Sequence, residues 1–256
     1  MNKRIYAMLA SGAALLFSGS LSAYVLLSPQ RTWDSAPTMI VDDRGQSTIT
    51  DSDGGVSATV NAIESNQAWN GAGSGTVINA EAGSVAGWQL GDGIPMLNFT
   101  DPEHACNGNC LAATFTGFYE NRGDGTYGIY DADIVTGSRW GFTSTSESDG
   151  CLGEFFIEGV MVHEVGHVLG LGHTDVSGAT MYPSVSSCNN GPASTEQDDE
   201  DGLYALYGGG GGSGDGGGSS GGGASCDLGQ KGDSCSADNE CCSGKCRGKP
   251  ESETCR

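Results

Sequence analysis

Three of the chain's four histidines fall in one eleven-residue stretch, His163-Glu164-Val165-Gly166-His167-Val168-Leu169-Gly170-Leu171-Gly172-His173. No other feature limits the fold as tightly. Residues four apart share a helix face, so His163 and His167 can offer two imidazoles to one ion. Gly170 follows three residues later and can take a backbone conformation that other residues resist, which ends the helix and turns the chain back. His173 can then reach the same ion. Three nitrogens leave a fourth tetrahedral position for water, the open geometry of a catalytic zinc. Glu164 neighbours the first ligand and cannot easily join its coordination face. It is placed instead to take a proton from the water and pass it to a leaving amine while the metal polarises a carbonyl. The expected site is one catalytic Zn2+ per chain on His163, His167 and His173, with Glu164 as general base.

The surrounding pattern predicts helices over residues 56–69, 155–169 and 195–207. The second would turn Phe156, Val160 and Val168 to the core. The third carries acids in its first turns, where the helix dipole favours them. Strands are predicted at 38–42, 94–99, 112–118 and 128–134, between clusters of Asp, Asn and Gly.

Composition divides the chain. Residues 1–23 read as a signal peptide: Lys3 and Arg4, an apolar run, then a small-residue cut after Ala23. Residues 24–207 form the large domain, residues 208–225 a flexible Gly/Ser-rich linker, and residues 226–256 a six-cysteine module. After cleavage no segment is long and apolar enough to span a bilayer. The net charge of -21 resides in the large domain, which has four arginines, no lysine and 25 acids. Nucleic acid is therefore excluded as a ligand, since phosphate binding needs clustered Lys and Arg. The acids serve solubility or calcium binding. Ten cysteines in an exported chain predict disulfides, and both groups are even: Cys106, Cys110, Cys151 and Cys188, then six in the tail.

The spacing H-E-x-x-H-x-x-G-x-x-H resembles the extended zinc motif of the metzincin proteases. Thr180-Met181-Tyr182-Pro183 is similar to their methionine turn, with Met181 beneath the metal, and Met-Tyr-Pro is closest to the matrixin branch. Pro183 stands where other branches carry a tyrosine that approaches zinc, so Tyr182 is not expected as a ligand. Asp131-Ala132-Asp133-Ile134 and residues 198–208 also resemble matrixin segments, and the likeness covers about residues 31–208. It implies an α+β fold: a metzincin catalytic domain with a twisted mixed five-stranded sheet and three helices, beside a small disulfide-rich C-terminal module. It also implies a monomeric, secreted zinc endopeptidase acting on protein or peptide substrates in the extracellular space. The opposing readings are a non-catalytic zinc-binding surface or adhesion protein that retains the fold, and a zinc amidase acting on a non-protein substrate.

Three departures from that family matter. Only His104 remains for the second, structural zinc of many animal matrixins, so it reads as a loop residue. No cysteine precedes Cys106, so a propeptide thiol on the zinc is not expected. The large domain has its own four cysteines, for which the expected pairs are Cys106–Cys110 and Cys151–Cys188, the second bracing a wall of the main specificity pocket. Calcium remains a possible structural ion. For Asp131 and Asp133, calcium binding and a plain solvated or turn role stand open. For Asp198 and Asp199, helix capping is favoured. The tail resembles inhibitor-cystine-knot miniproteins, which implies Cys226–Cys242, Cys235–Cys246 and Cys241–Cys255. Such a module could bind substrate, a polymer or a cell surface, inhibit the enzyme's own cleft until clipped off, or simply stabilise the chain.

Overall fold

A computed structural model describes residues 23–44, 52–73, 78–85, 89–101, 104–145 and 151–208, together with 246–247 and 254–255. The expected signal peptide up to residue 22, the expected linker beyond Gly208 and the implied cystine pairing of the tail lie outside the described residues. Within the tail, β11 (Cys246–Arg247) pairs antiparallel with β12 (Thr254–Cys255).

The large domain is built on β7 (Tyr127–Thr136), whose residues 131–136 are all buried. One edge of β7 carries β6 (Ala112–Asn121), antiparallel and bulged near Phe118. The other edge is shared: β2 (Arg31–Trp33) runs parallel to its first half and β5 (Met96–Asn98) parallel to its second. Beyond β5 lie β3 (Thr38–Asp42) and β4 (Asn79–Gly83), both parallel. The mixed sheet thus has six strands in five ladder positions, where five strands were expected.

Helices α1 (Ser52–Ile63) and α2 (Ile157–Val168) pack together against the sheet, and α3 (Gln197–Tyr207) packs by β2. One apolar cluster fills the interior, including Met39, Val41, Ile63, Trp69, Leu97, Ile134, Met161, Val165 and Leu203. The first helix starts and stops earlier than residues 56–69. Asn70 reaches back to the Glu64 carbonyl and both main-chain groups of Ile78, so the chain leaves the helix before Trp69. Trp69 sits in a separate 3-10 turn, Trp69–Gly71, and still enters the core. Phe156 was expected in the core face of the zinc helix. It lies instead in β9 (Phe155–Phe156), half-buried, paired with β8 (Phe142–Thr143). The helix begins one residue later, and Ile157, Met161, Val162, Val165 and Val168 are its fully buried apolar residues.

Six strands of the large domain were not foreseen: β2, β4, β8 and β9, described above, and a further short pair. β1 (Val25–Leu26) pairs antiparallel with β10 (Leu171–Gly172), so the N-terminal segment is strapped to the loop after α2. Among the described residues no helix is long and apolar enough to cross a membrane.

Candidate metal centre

The helix α2 is apolar almost all round, as a core helix must be, interrupted by Glu158, His163, Glu164 and His167, with the two histidines on one face. Its end is held from outside. Trp33 Nε1 donates to the Val168 carbonyl at 2.9 Å, and the Tyr207 hydroxyl to the Leu169 carbonyl at 2.8 Å. These bonds satisfy carbonyls that a helix terminus leaves without partners. Gly170 has a φ of +102°, and a Cβ there would lie 2.4 Å from the Arg31 carbonyl oxygen. Only glycine meets both demands, and the turn it makes brings His173 back under the helix.

The three imidazoles converge. His173 Nε2 lies 3.2 Å from His163 Nε2 and 3.1 Å from His167 Nε2. A tetrahedral zinc with Zn–N bonds of about 2.0–2.1 Å spaces its ligand nitrogens by about 3.3 Å, so the set fits that ion closely. His163 Nδ1 lies 2.6 Å from the Thr180 carbonyl oxygen and His167 Nδ1 2.8 Å from that of Leu171. A carbonyl can only accept, so each Nδ1 carries the proton and each Nε2 presents its lone pair to the centre. Burial lowers the pKa of His167 and His173, favouring the neutral form that binds metal.

Met181 is 2 % exposed beneath this centre. A Cβ on Gly166 would fall 2.2 Å from Met181 Sδ and 2.7 Å from the Trp69 ring, so the bare backbone of α2 lets the methionine turn approach. The turn is anchored by Asp199. Its carboxylate accepts from the amides of Thr180 at 2.8 Å, Met181 at 2.9 Å and Glu196 at 2.9 Å. Asp199 therefore caps α3, as expected, and also fixes the carbonyl that orients His163, which the sequence did not announce. Burial pushes its carboxyl up from the ordinary value, against the pull of those three amides.

Glu164 is 5 % exposed, and its Oε2 accepts from Thr114 Oγ1 of β6 at 2.6 Å. Nothing in the sequence marked Thr114.

Residues 104–208 match the matrixin family model. The chain carries a matrixin-like metzincin catalytic domain. It is 48% identical over 54 residues to metalloendoproteinase 1 of Glycine max, covering 21% of this chain and 17% of that protein. It is 47% identical over 49 residues to human neutrophil collagenase, 19% of this chain and 10% of the relative. Matrix metalloproteinase-2 of Drosophila melanogaster matches over 91 residues at 36% identity, 36% of this chain and 11% of the relative. These stretches span less than a fifth of each relative's length.

Two recesses flank the centre of the matrixin-like domain. The first, of about 490 Å³, is lined by Leu111, Trp140, Phe155, Val160, Tyr182 and Val185 among others, and reaches His163 and Glu164. The second, of about 570 Å³, runs along residues 112–116 of β6 to Glu164, His167 and His173. Both expected disulfides of the domain are present, Cys106–Cys110 and Cys151–Cys188. Cys110 lines the first recess, and Cys188 follows closely on its wall residues Ser184 and Val185. His104 is exposed in a loop, away from the histidine triad.

Asp131 and Asp133 are fully buried, which rules out the solvated role. Asp131 Oδ2 accepts from the Gly91 amide and its Oδ1 from nothing, while the Met96 and Gln89 amides lie near the Asp133 carboxyl without reaching good hydrogen-bond geometry. Burial, reinforced by Asp131 and Asp92, pushes Asp133 up to about 7. Buried carboxylates short of donors are the oxygen donor set that a hard cation uses.

Proposed function

We propose that this chain is a secreted zinc endopeptidase that hydrolyses peptide bonds in extracellular proteins. The observation that carries the reading is the set of three Nε2 atoms at zinc spacing beside the buried carboxylate of Glu164. A zinc held by His163, His167 and His173 would supply Lewis-acid polarisation of a carbonyl and acidify water. The chain's own residues do the rest. β6 pairs with β7 alone among the described residues, and a peptide would add to its other edge as an antiparallel strand. Thr114 holds Glu164 Oε2, which leaves Oε1 to take a proton from the attacking water and return it to the departing amine. The apolar first recess receives a side chain of the substrate next to the scissile bond.

Two disulfides in the domain support an oxidising compartment, reached by cleavage after Ala23. Calcium at Asp131 and Asp133 would stabilise the fold. The tail at residues 226–256, on its linker, would tether the enzyme to substrate, polymer or cell surface and raise its local concentration.

The test compares the secreted protein with Glu164→Ala for zinc content and casein cleavage. One zinc in each, with activity reduced at least about 100-fold in the variant, is the expected result. A zinc-loaded wild type that cleaves neither casein, gelatin nor a peptide library would end the endopeptidase reading. Loss of zinc in the variant would make Glu164 a structural residue.

A further inference from the structure

Arg31 stands apart from the other three arginines of the domain. Arg44 pairs with Asp42 and Arg122 with Asp34, and Arg139 lies exposed against Trp140. Arg31 is 9 % exposed and has no carboxylate partner among the described residues. Its guanidinium lies over the Phe118 ring at 4.3 Å, and Nη1 donates to Thr116 Oγ1 at 2.9 Å. Nη2 reaches the Ser28 carbonyl only at 3.5 Å, and the buried Nε–H donates to nothing. A guanidinium has five N–H groups, and a buried charge is ordinarily paired. Here the charge is held in a fixed orientation with donors to spare. Burial lowers the pKa of Arg31, and no neighbouring acid opposes that shift.

Its position gives the spare donors a use. Arg31 lines the second recess together with Leu27, Thr116, Glu164, His167 and His173. Along β6, Thr116 lies two residues beyond Thr114, which holds Glu164. At about 3.3 Å per residue, that is about 7 Å from the proton-transfer point. A peptide antiparallel to β6 would place its N-terminal part over Thr116 and its C-terminal part toward Leu111 and the first recess.

We propose that Arg31 is a specificity-determining residue, which pairs with an aspartate or glutamate of the substrate within the four residues before the scissile bond. The inference rests on the endopeptidase reading. An acid gains nothing from the general field of a domain this acidic, so a preference for one can come only from a local cation. A charge-assisted, partly desolvated pair is worth about tenfold or more in rate discrimination.

The experiment uses the full chain loaded with zinc and a set of peptides with a large apolar residue after the scissile bond. Each of the four preceding positions carries in turn Glu or its neutral isostere Gln. Wild type is expected to show kcat/KM at least about tenfold higher for Glu at one of those positions. Arg31→Gln is expected to bring that ratio to one or below, whatever its rate on the Gln peptides. Arg31→Lys should restore part of the preference. A structural role alone would lower all peptides together and leave the ratio unchanged, overturning the proposal. The same follows if wild type cleaves the set without preferring Glu anywhere, and that result leaves the endopeptidase reading intact. A wild type that cleaves casein but none of the peptides overturns this proposal alone, and one that cleaves neither casein, gelatin nor any peptide overturns both. Should Arg31→Gln fail to fold, the wild-type Glu/Gln ratio and its decline with added salt decide the matter.

Discussion

Asp199 connects three things through one carboxylate: the first turn of α3, the methionine turn, and the carbonyl that orients His163. Asp199→Ala would leave three amides without their acceptor, each costing about 1–3 kcal/mol if it stays buried. It would also free Thr180. The expected result is a zinc affinity lower by about 10- to 100-fold, measured by competition with a chelator, with a lowered melting temperature. Unchanged zinc affinity would show that His163 is held by helix packing alone. Asp133 makes a different prediction, in pH. Its folded-state pKa is about 7, above the 3.8 of a free carboxyl, so between those values the folded chain keeps a proton that the unfolded chain has lost. Its contribution to stability is complete below about pH 4 and is lost as pH rises toward 7. In chelator-treated protein the melting temperature of wild type should fall across that window relative to Asp133→Asn. Calcium at pH 7 should recover it in wild type only. Parallel pH profiles for the two proteins would remove Asp133 as the source.

At the level of elements, α2 needs Gly166 because the methionine turn has come up against its backbone. Gly166→Ala drives a methyl into Met181 Sδ and the Trp69 ring. Overpacking of this kind costs about 1–3 kcal/mol, visible in urea denaturation at unchanged slope. A neutral result would mean that Met181 moves aside freely. The histidine-bearing helix and its exit were legible in the sequence because they rest on local geometry: i, i+4 spacing for His163 and His167, then a glycine forced to positive φ at Gly170. The strands β3, β6 and β7 were legible through alternation and turn residues. β1 and β10 were not, since two-residue strands have no period to read and these lie 145 positions apart in register. Thr114 and Arg31 were missed for the same reason. A threonine and an arginine carry no motif, and their importance arises only when β6 and β2 are laid beside α2. Phe156 was misplaced because an apolar residue just before a helix reads the same whether it starts the helix or pairs with a strand.

At the scale of the whole molecule, the Cys151–Cys188 disulfide closes a loop that holds His163, Glu164, His167, His173 and Met181, the entire candidate centre. Its ends are 37 residues apart, against 4 for Cys106–Cys110. Loop-closure entropy grows with the logarithm of that length, giving about 4 kcal/mol for the long loop and about 2 kcal/mol for the short one. The long bridge also bears on the substrate cleft. Ser184, Val185 and Pro192 lie on both sides of Cys188 in the chain and line the apolar recess. Locally, one hydrogen bond from the Cys188 amide to the Glu154 carbonyl, at 2.9 Å, supports the same junction and would survive loss of the sulfurs. The Cys151→Ser/Cys188→Ser variant should therefore fold with a larger loss of stability than Cys106→Ser/Cys110→Ser. Its wall would lose its covalent tie to the segment before α2, so it should discriminate less between large and small residues after the scissile bond. Chemical denaturation gives the first comparison, and the ratio of kcat/KM for peptides with leucine or alanine at that position gives the second. Equal destabilisation by the two variants would discount the loop-closure argument. A preserved leucine-to-alanine ratio would show that the recess is shaped by α2 and β6, with the bridge serving stability alone.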